Sequence, residues 1–292
     1  MKLLPDFVTG NTRLKARLPD LAASVGDGTT GDRGGWATLL RAVPPAYTGQ
    51  AREVVEVLTA RHDLSDVFAL LRGAVADAPI PDRLAAVSCV GRVSVTAALD
   101  VTGAGDGTAA VARLVAWRLP DAQVSRLLPG LWERFELHQD TDELETGVAT
   151  AAHRSWGSLL ESGGRRTEPV RDLLAVERDR ANVVALVRDP SVVQDRLLPP
   201  GQLDSPALAA LAMGNWAPVL RRRPEWRPAV QRWETHFDLG LLEADLTDLV
   251  TVRALALIRH PDPFGVEVAV GYVLAVEGTA RRARLAALPE VR

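Results

Sequence analysis

Along residues 53–72 the apolar positions fall at Val54, Val57, Leu58, Val67, Leu70 and Leu71, three or four apart within each run. This spacing lines one face of an amphipathic helix; a half-buried strand would alternate instead. Residues 169–188 repeat the pattern with Val170, Leu173, Leu174, Val183, Leu186 and Val187. Gly73 and Pro190 follow the two runs, where helices stop. Arg72 and Arg188 fall near the predicted C-terminal ends, where the helix dipole favours a cation.

The polar positions repeat as well. "DLSDVFALLR" (63–72) aligns with "DRANVVALVR" (179–188), so that Asp63 lies over Asp179 and Asp66 over Asn182. Asp66 and Asn182 stand one residue before an apolar stripe, where a carboxylate or amide can tie the helix to a neighbouring backbone. Asp63 and Asp179, three residues earlier, share their face. Upstream, "GGWATLL" (34–40) matches "RSWGSLL" (154–160); downstream, "VGRVS" (90–94) matches "PGQLDS" (200–205), each a Gly turn before an Ala/Leu-rich segment. Repetition at this length is the leading clue to architecture.

A third copy is fainter. "WETHFDLGLLEADLTDLVTV" (233–252) and "VEVAVGYVLAVEGTARRARLAAL" (266–288) keep the apolar register, but Thr279 falls under Asp179 and Arg282 under Asn182. Turn-forming loops are expected at 26–35, 102–108, 161–169 and 259–265. The expected fold is all-α, with helical units at 1–107, 108–214 and 215–292, the last one degenerate. Only residues 88–99 have modest strand character.

Composition narrows the function classes. The 292 residues are 47% hydrophobic and only 5% aromatic, which favours helices with aliphatic seams over disorder. A formal charge of −3 argues against a nucleic-acid partner held by phosphate neutralisation. One cysteine, Cys89, rules out an intrachain disulfide framework and is read as a small buried apolar residue. "MKLLPDFVTG" (1–10) is too short for a signal core, and no apolar run has membrane-spanning length. The chain is expected to be soluble, and could sit on a partner embedded in a membrane.

Candidate chemistry is sparse. "GAGDG" (103–107) lacks the Lys-Ser/Thr of a phosphate-binding loop and reads better as a linker than as an anion site. The acids of "HQDTDELETG" (138–147) fail calcium-loop spacing and suit a helix N-terminus. No histidine pair has the spacing of helix-borne zinc ligands, so no metal, cofactor or catalytic residue is assigned. "RRRPEWRP" (221–228) is the sharpest charge run, with Arg221, Arg222, Arg223 and Arg227 around Trp226. It is either a solvated connection or a contact for an acidic partner surface or lipid headgroups.

Taken together these segments resemble the C-type component of the V/A-type rotary ATPases, the family whose eukaryotic V-ATPase members are designated d. The likeness rests on "NTRLKARL" (11–18), "DLSDVFALLR", "DRANVVALVR", "LLPPGQL" (197–203) and "YVLAVEGTARRAR" (272–284), which supplies Tyr272, Ala275, Glu277 and Arg284. The chain departs from the family pattern at Thr279, Arg282 and Ala283. The resemblance implies three similar helical domains in a pseudo-threefold funnel on the cytoplasmic face of the membrane. It implies as partners the proteolipid rotor ring below and the D and F subunits of the central shaft above. The implied role is a non-catalytic socket coupling shaft to ring in ATP-linked proton or sodium transport. A helical-repeat scaffold for another partner is the competing reading; solenoid repeats of about 30–45 residues are much shorter than these units.

Overall fold

The computed structural model describes residues 3–15, 35–192, 194–259 and 265–286. Among them lie fourteen α-helices and no strand. The helices are α1 (Leu3–Lys15), α2 (Gly35–Arg41), α3 (Gly49–Val75), α4 (Ile80–Ala85), α5 (Val95–Thr102), α6 (Gly107–Ala116) and α7 (Ala122–His138). There follow α8 (Thr141–Glu161), α9 (Glu168–Arg188), α10 (Ser205–Ala212), α11 (Ala217–Arg222), α12 (Arg227–His236), α13 (Leu239–Arg259) and α14 (Glu267–Ala286).

Short polar residues start many of these helices by accepting an otherwise orphaned N–H. Ser94, Asp106, Asp121, Asp140 and Asp204 cap α5, α6, α7, α8 and α10 through their side chains. The acids of residues 138–147 therefore act at a helix start, and "GAGDG" joins α5 to α6 with Asp106 as the cap.

Two corners are built alike. Helix α7 ends after His138 with Gln139 in the left-handed conformation (φ 54°), and Asp140 then accepts the Glu143 N–H at 3.0 Å. Helix α12 ends after His236 with Phe237 at φ 53°, and Asp238 accepts the Leu241 N–H at 3.0 Å. Each left-handed non-glycine residue costs roughly 1–2 kcal/mol, offset by the capping bond and the helix pair that the corner brings together. In both pairs the next positions are buried: Leu144 and Val148 on α8, Leu242 and Leu246 on α13.

The three helices that carry the aligned segments are α3, α9 and α14, and each touches the other two. Their equivalent positions are buried alike: Val54, Val170 and Val270, then Leu58, Leu174 and Leu274, none more than 4% exposed. The helices preceding them pack in rotation, with α8 against α3, α13 against α9 and α2 against α14. Helix α1 packs against both α3 and α14. Its Asn11 donates to the Gly265 carbonyl at 2.9 Å and accepts from the Tyr47 hydroxyl at 2.7 Å, tying the N-terminal segment to the start of α14.

The core falls into two clusters. One runs from α1 to the first half of α9 and includes α14; the other runs from Val176 of α9 to Leu246 of α13. The first continues across the expected unit border at the start of α6 and the second across that between α10 and α11. Of the residues 88–99 with modest strand character, 95–99 open α5 and 88–94 form an irregular segment. Its amides face buried carboxylates of α3, so they have no need of a neighbouring strand.

Candidate functional site

The repeated phrase makes two junctions. On α3, Asp63 and Asp66 are 1% and 2% exposed. The Asp63 carboxylate accepts the Arg92 N–H and the Val93 N–H, both at 2.8 Å. Asp66 accepts the Ser88 N–H at 2.7 Å, the Cys89 N–H at 2.8 Å and the Ser88 hydroxyl at 2.9 Å. On α9, Asp179 accepts the N–H groups of Gly201, Gln202 and Leu203 at 3.1, 2.9 and 3.1 Å. Asn182 accepts the Leu198 N–H at 2.8 Å and donates to the Leu198 carbonyl at 3.0 Å.

Each junction thus holds an irregular turn against the middle of a long helix. The turn backbone has no helical partners of its own, and the side chains supply them. Glycine is required where the turn comes closest. A Cβ on Gly91 would lie 2.2 Å from Asp63 Oδ2, and one on Gly201 would lie 2.2 Å from the Ala175 carbonyl oxygen. Immediately after each turn, Ser94 and Asp204 cap the next helix through the N–H groups of Ala97 and Ala207.

The electrostatics of the junctions differ. Burial pushes the Asp63 carboxyl up to about 6, against the Val93 and Arg92 N–H bonds that favour its charge. Burial raises Asp66 too, opposed by its bonds from Ser88 and Cys89. Asp179 instead has a cation: Arg223 donates through Nη2 at 2.7 Å and through Nε at 3.2 Å. That pair is 1% and 0% exposed.

Arg223 and Trp226 therefore require a correction. The charge run places both in an exposed basic segment, yet both are 1% exposed, and the Arg223 guanidinium lies 5.6 Å from the Trp226 ring centre. The buried charge of Asp179 draws Arg223 inward, because an unpaired buried carboxylate is costly. Arg221 and Arg227 remain on the surface, and Arg222 pairs with Asp204. Trp226 forms part of the wall of a cavity of about 270 Å³, with Leu173, Val176, Leu249, Val270 and Leu274.

A second polar cluster sits where α3, α9 and α14 meet. Arg61 donates to Glu177 and, at 2.8 Å, to Glu277; His62 Nε2 lies 2.7 Å from the same Glu277 oxygen. Burial alone would raise the Glu277 carboxyl, but the charges and hydrogen bonds of Arg61 and His62 outweigh it and hold the group below its ordinary value. Burial likewise opposes the charge of Arg61, while Glu177 and Glu277 together hold it above the usual arginine range. Close by, burial and the nearby charges of Arg178 and Arg61 push His153 down to about 3, so that its ring stays neutral at pH 7. The cluster can clamp three helices electrostatically.

Arg61, Glu177 and Glu277 occupy one column of the repeat alignment. Of the three, sequence reasoning singles out only Glu277, and that through the family resemblance. The available signal is the alignment itself: the residue two places before Asp63, Asp179 and Thr279 is charged in every copy.

The remaining predicted residues have separate roles. Arg72 pairs with Glu145 of α8, Arg188 is exposed at the end of α9, and Tyr272 is buried. The side chain of Arg284 lies outside the described residues, as does most of the 26–35 loop. Among the described residues, the Thr279 hydroxyl of the third copy donates to the Ala275 carbonyl of its own helix at 2.9 Å, and Arg282 is exposed. Among the described residues, no three His, Cys, Asp or Glu side chains are grouped to hold a metal ion.

The chain matches no protein-family model and no curated protein.

Proposed function

We propose that this chain is the central-rotor socket of a V/A-type ATPase or ATP synthase. In this reading it is a non-catalytic component that couples the D and F subunits of the shaft to the proteolipid ring at the cytoplasmic face of the membrane. The observation that carries the proposal is the meeting of Arg61, Glu177 and Glu277, three residues from one alignment column, at the contact of α3, α9 and α14. The rotational packing of α8 on α3, α13 on α9 and α2 on α14 supports the same reading. We read these contacts as three related units about a pseudo-threefold axis, with the third unit reduced, opening as a funnel toward the shaft.

The physics suits the role. A protein that transmits torque needs broad complementary contact with both neighbours more than one strong catalytic or ligand site. Ion pairs among the three central helices resist their sliding past one another. Among the described residues no helix is long and apolar enough to cross a membrane, so attachment in this reading runs through the ring.

Affinity capture of the tagged chain from gently solubilised native membranes tests the proposal. Shaft and ring components are expected in the eluate. Their absence, with the rest of the rotary complex intact in the same extract, would overturn the rotor assignment; recovery of an unrelated partner set would favour a scaffold.

A further inference from the structure

We infer that the trough between α7 and α8 is a docking surface for an acidic amphipathic helix of a partner protein. The inference does not depend on the rotor reading. Helices α7 and α8 fold back on one another at the Gln139–Asp140 corner. Between them lies a recess of about 470 Å³, lined among others by Arg126, Gly130, Leu131, Arg134, Thr150 and Arg154. A neighbouring recess of about 330 Å³ shares Thr150 and Arg154 and extends the trough toward Leu208 of α10, where Asp195 makes the lining less basic, so the acidic face of the occupant belongs over the first recess.

Arg126, Gly130 and Arg134 are spaced four apart, so they follow one face of α7 for about 12 Å, on the order of two helical turns. Arg154 faces them from α8. Arg126 and Arg154 are exposed and form no ion pair with the described residues. Arg134 has only an exposed contact with Glu143, at 3.3 Å. Three guanidinium groups thus line one recess without a carboxylate among its lining residues, in a chain of net charge −3.

The floor is apolar and open. Leu131 is buried, Leu127 is 50% exposed, and a Cβ on Gly130 would meet nothing within 4 Å. A third helix can therefore lie close to α7 and α8, with aliphatic residues on Leu127 and Leu131. Carboxylates on its flanks would reach the guanidinium forks, whose planar donors match them in pairs. A phosphate polymer would leave the apolar floor unused, and a bilayer surface does not enter a concave trough.

The test uses the full chain and fluorescence anisotropy. The probes are a panel of labelled helical peptides with Glu at i, i+4 and i+8 beside Leu and Ala, a matched panel with Lys for Glu, polyphosphate, and vesicles of phosphatidylserine and phosphatidylcholine. The Glu panel should bind and the Lys panel should not. The double reversal Arg126→Glu/Arg154→Glu should weaken Glu-peptide binding by about tenfold or more and let Lys peptides bind. Gly130→Trp should block both. All three positions are exposed, so the variants should keep the parent melting curve. The proposal fails if no Glu peptide binds, if the double reversal leaves affinity unchanged, or if polyphosphate or vesicles displace the peptides and lose binding on the same reversal.

Discussion

The junction on α3 and the junction on α9 solve one problem with different charges. Both bury a pair of polar side chains one helical turn apart, and both use them to hold an irregular turn that ends in a capped helix. At the first, Asp63 and Asp66 receive only uncharged donors, four backbone N–H groups and one hydroxyl. At the second, Asp179 has a buried arginine and its neighbour is the neutral Asn182. The fourth position follows what the turn presents. Ser88 and Cys89 offer two N–H groups, which a carboxylate can accept together. Leu198 offers one N–H and one carbonyl, which an amide matches. The phrase is therefore a backbone-holding device whose charge is set locally.

The largest effect should come from removing the cation at the second junction. Arg223→Met leaves Asp179 buried without its counter-ion and should cost about 3–5 kcal/mol in urea unfolding. A cost below about 1 kcal/mol would mean that the three N–H bonds suffice and that the two junctions are electrostatically equivalent.

The first junction should be distinguished by pH. Asp63 is raised in the folded chain to about 6 from an ordinary value of 3.8, so the folded state holds the proton more tightly. Its contribution is fully present below about pH 4 and is lost as pH rises through about 6, by roughly 2–3 kcal/mol. Subtracting the stability–pH profile of Asp63→Asn from that of the parent should isolate this fall. A flat difference profile between about pH 4 and about pH 7 would show that the Arg92 and Val93 N–H bonds fully offset the burial of the Asp63 charge.

The turn glycines should differ from each other, with the smallest effect of all at Gly91. Gly201→Ala drives a Cβ into a backbone carbonyl, whereas Gly91→Ala meets the end of a side chain, so costs of about 3 and about 1 kcal/mol are expected. The opposite order, measured by thermal unfolding, would show that the first turn is the stiffer one.

Much of this is legible in the sequence because helices and caps are local. Three-and-four spacing identifies α3 and α9, and the paired Asp63/Asp66 and Asp179/Asn182 point to helix-to-backbone ties. Arg223 escapes such reading because a string of arginines beside proline looks solvated, and the carboxylate that buries it lies 44 residues away. Arg61 and Glu177 escape it for a related reason. On one helix each looks like an ordinary surface charge, and each acquires a partner only when α3, α9 and α14 meet.

The sequence by itself determined that the chain is helical, where α3 and α9 run, and which short phrase it uses twice; the 233–252 run it offered as one helix is broken by the left-handed Phe237 between α12 and α13. Those properties depend on contacts within a few residues. Tertiary structure alone decided which charges are buried, which arginines remain outside, and that the faint third copy brings Glu277 to Arg61. These depend on segments brought together across the chain, where desolvation and pairing act on groups that have no local relation.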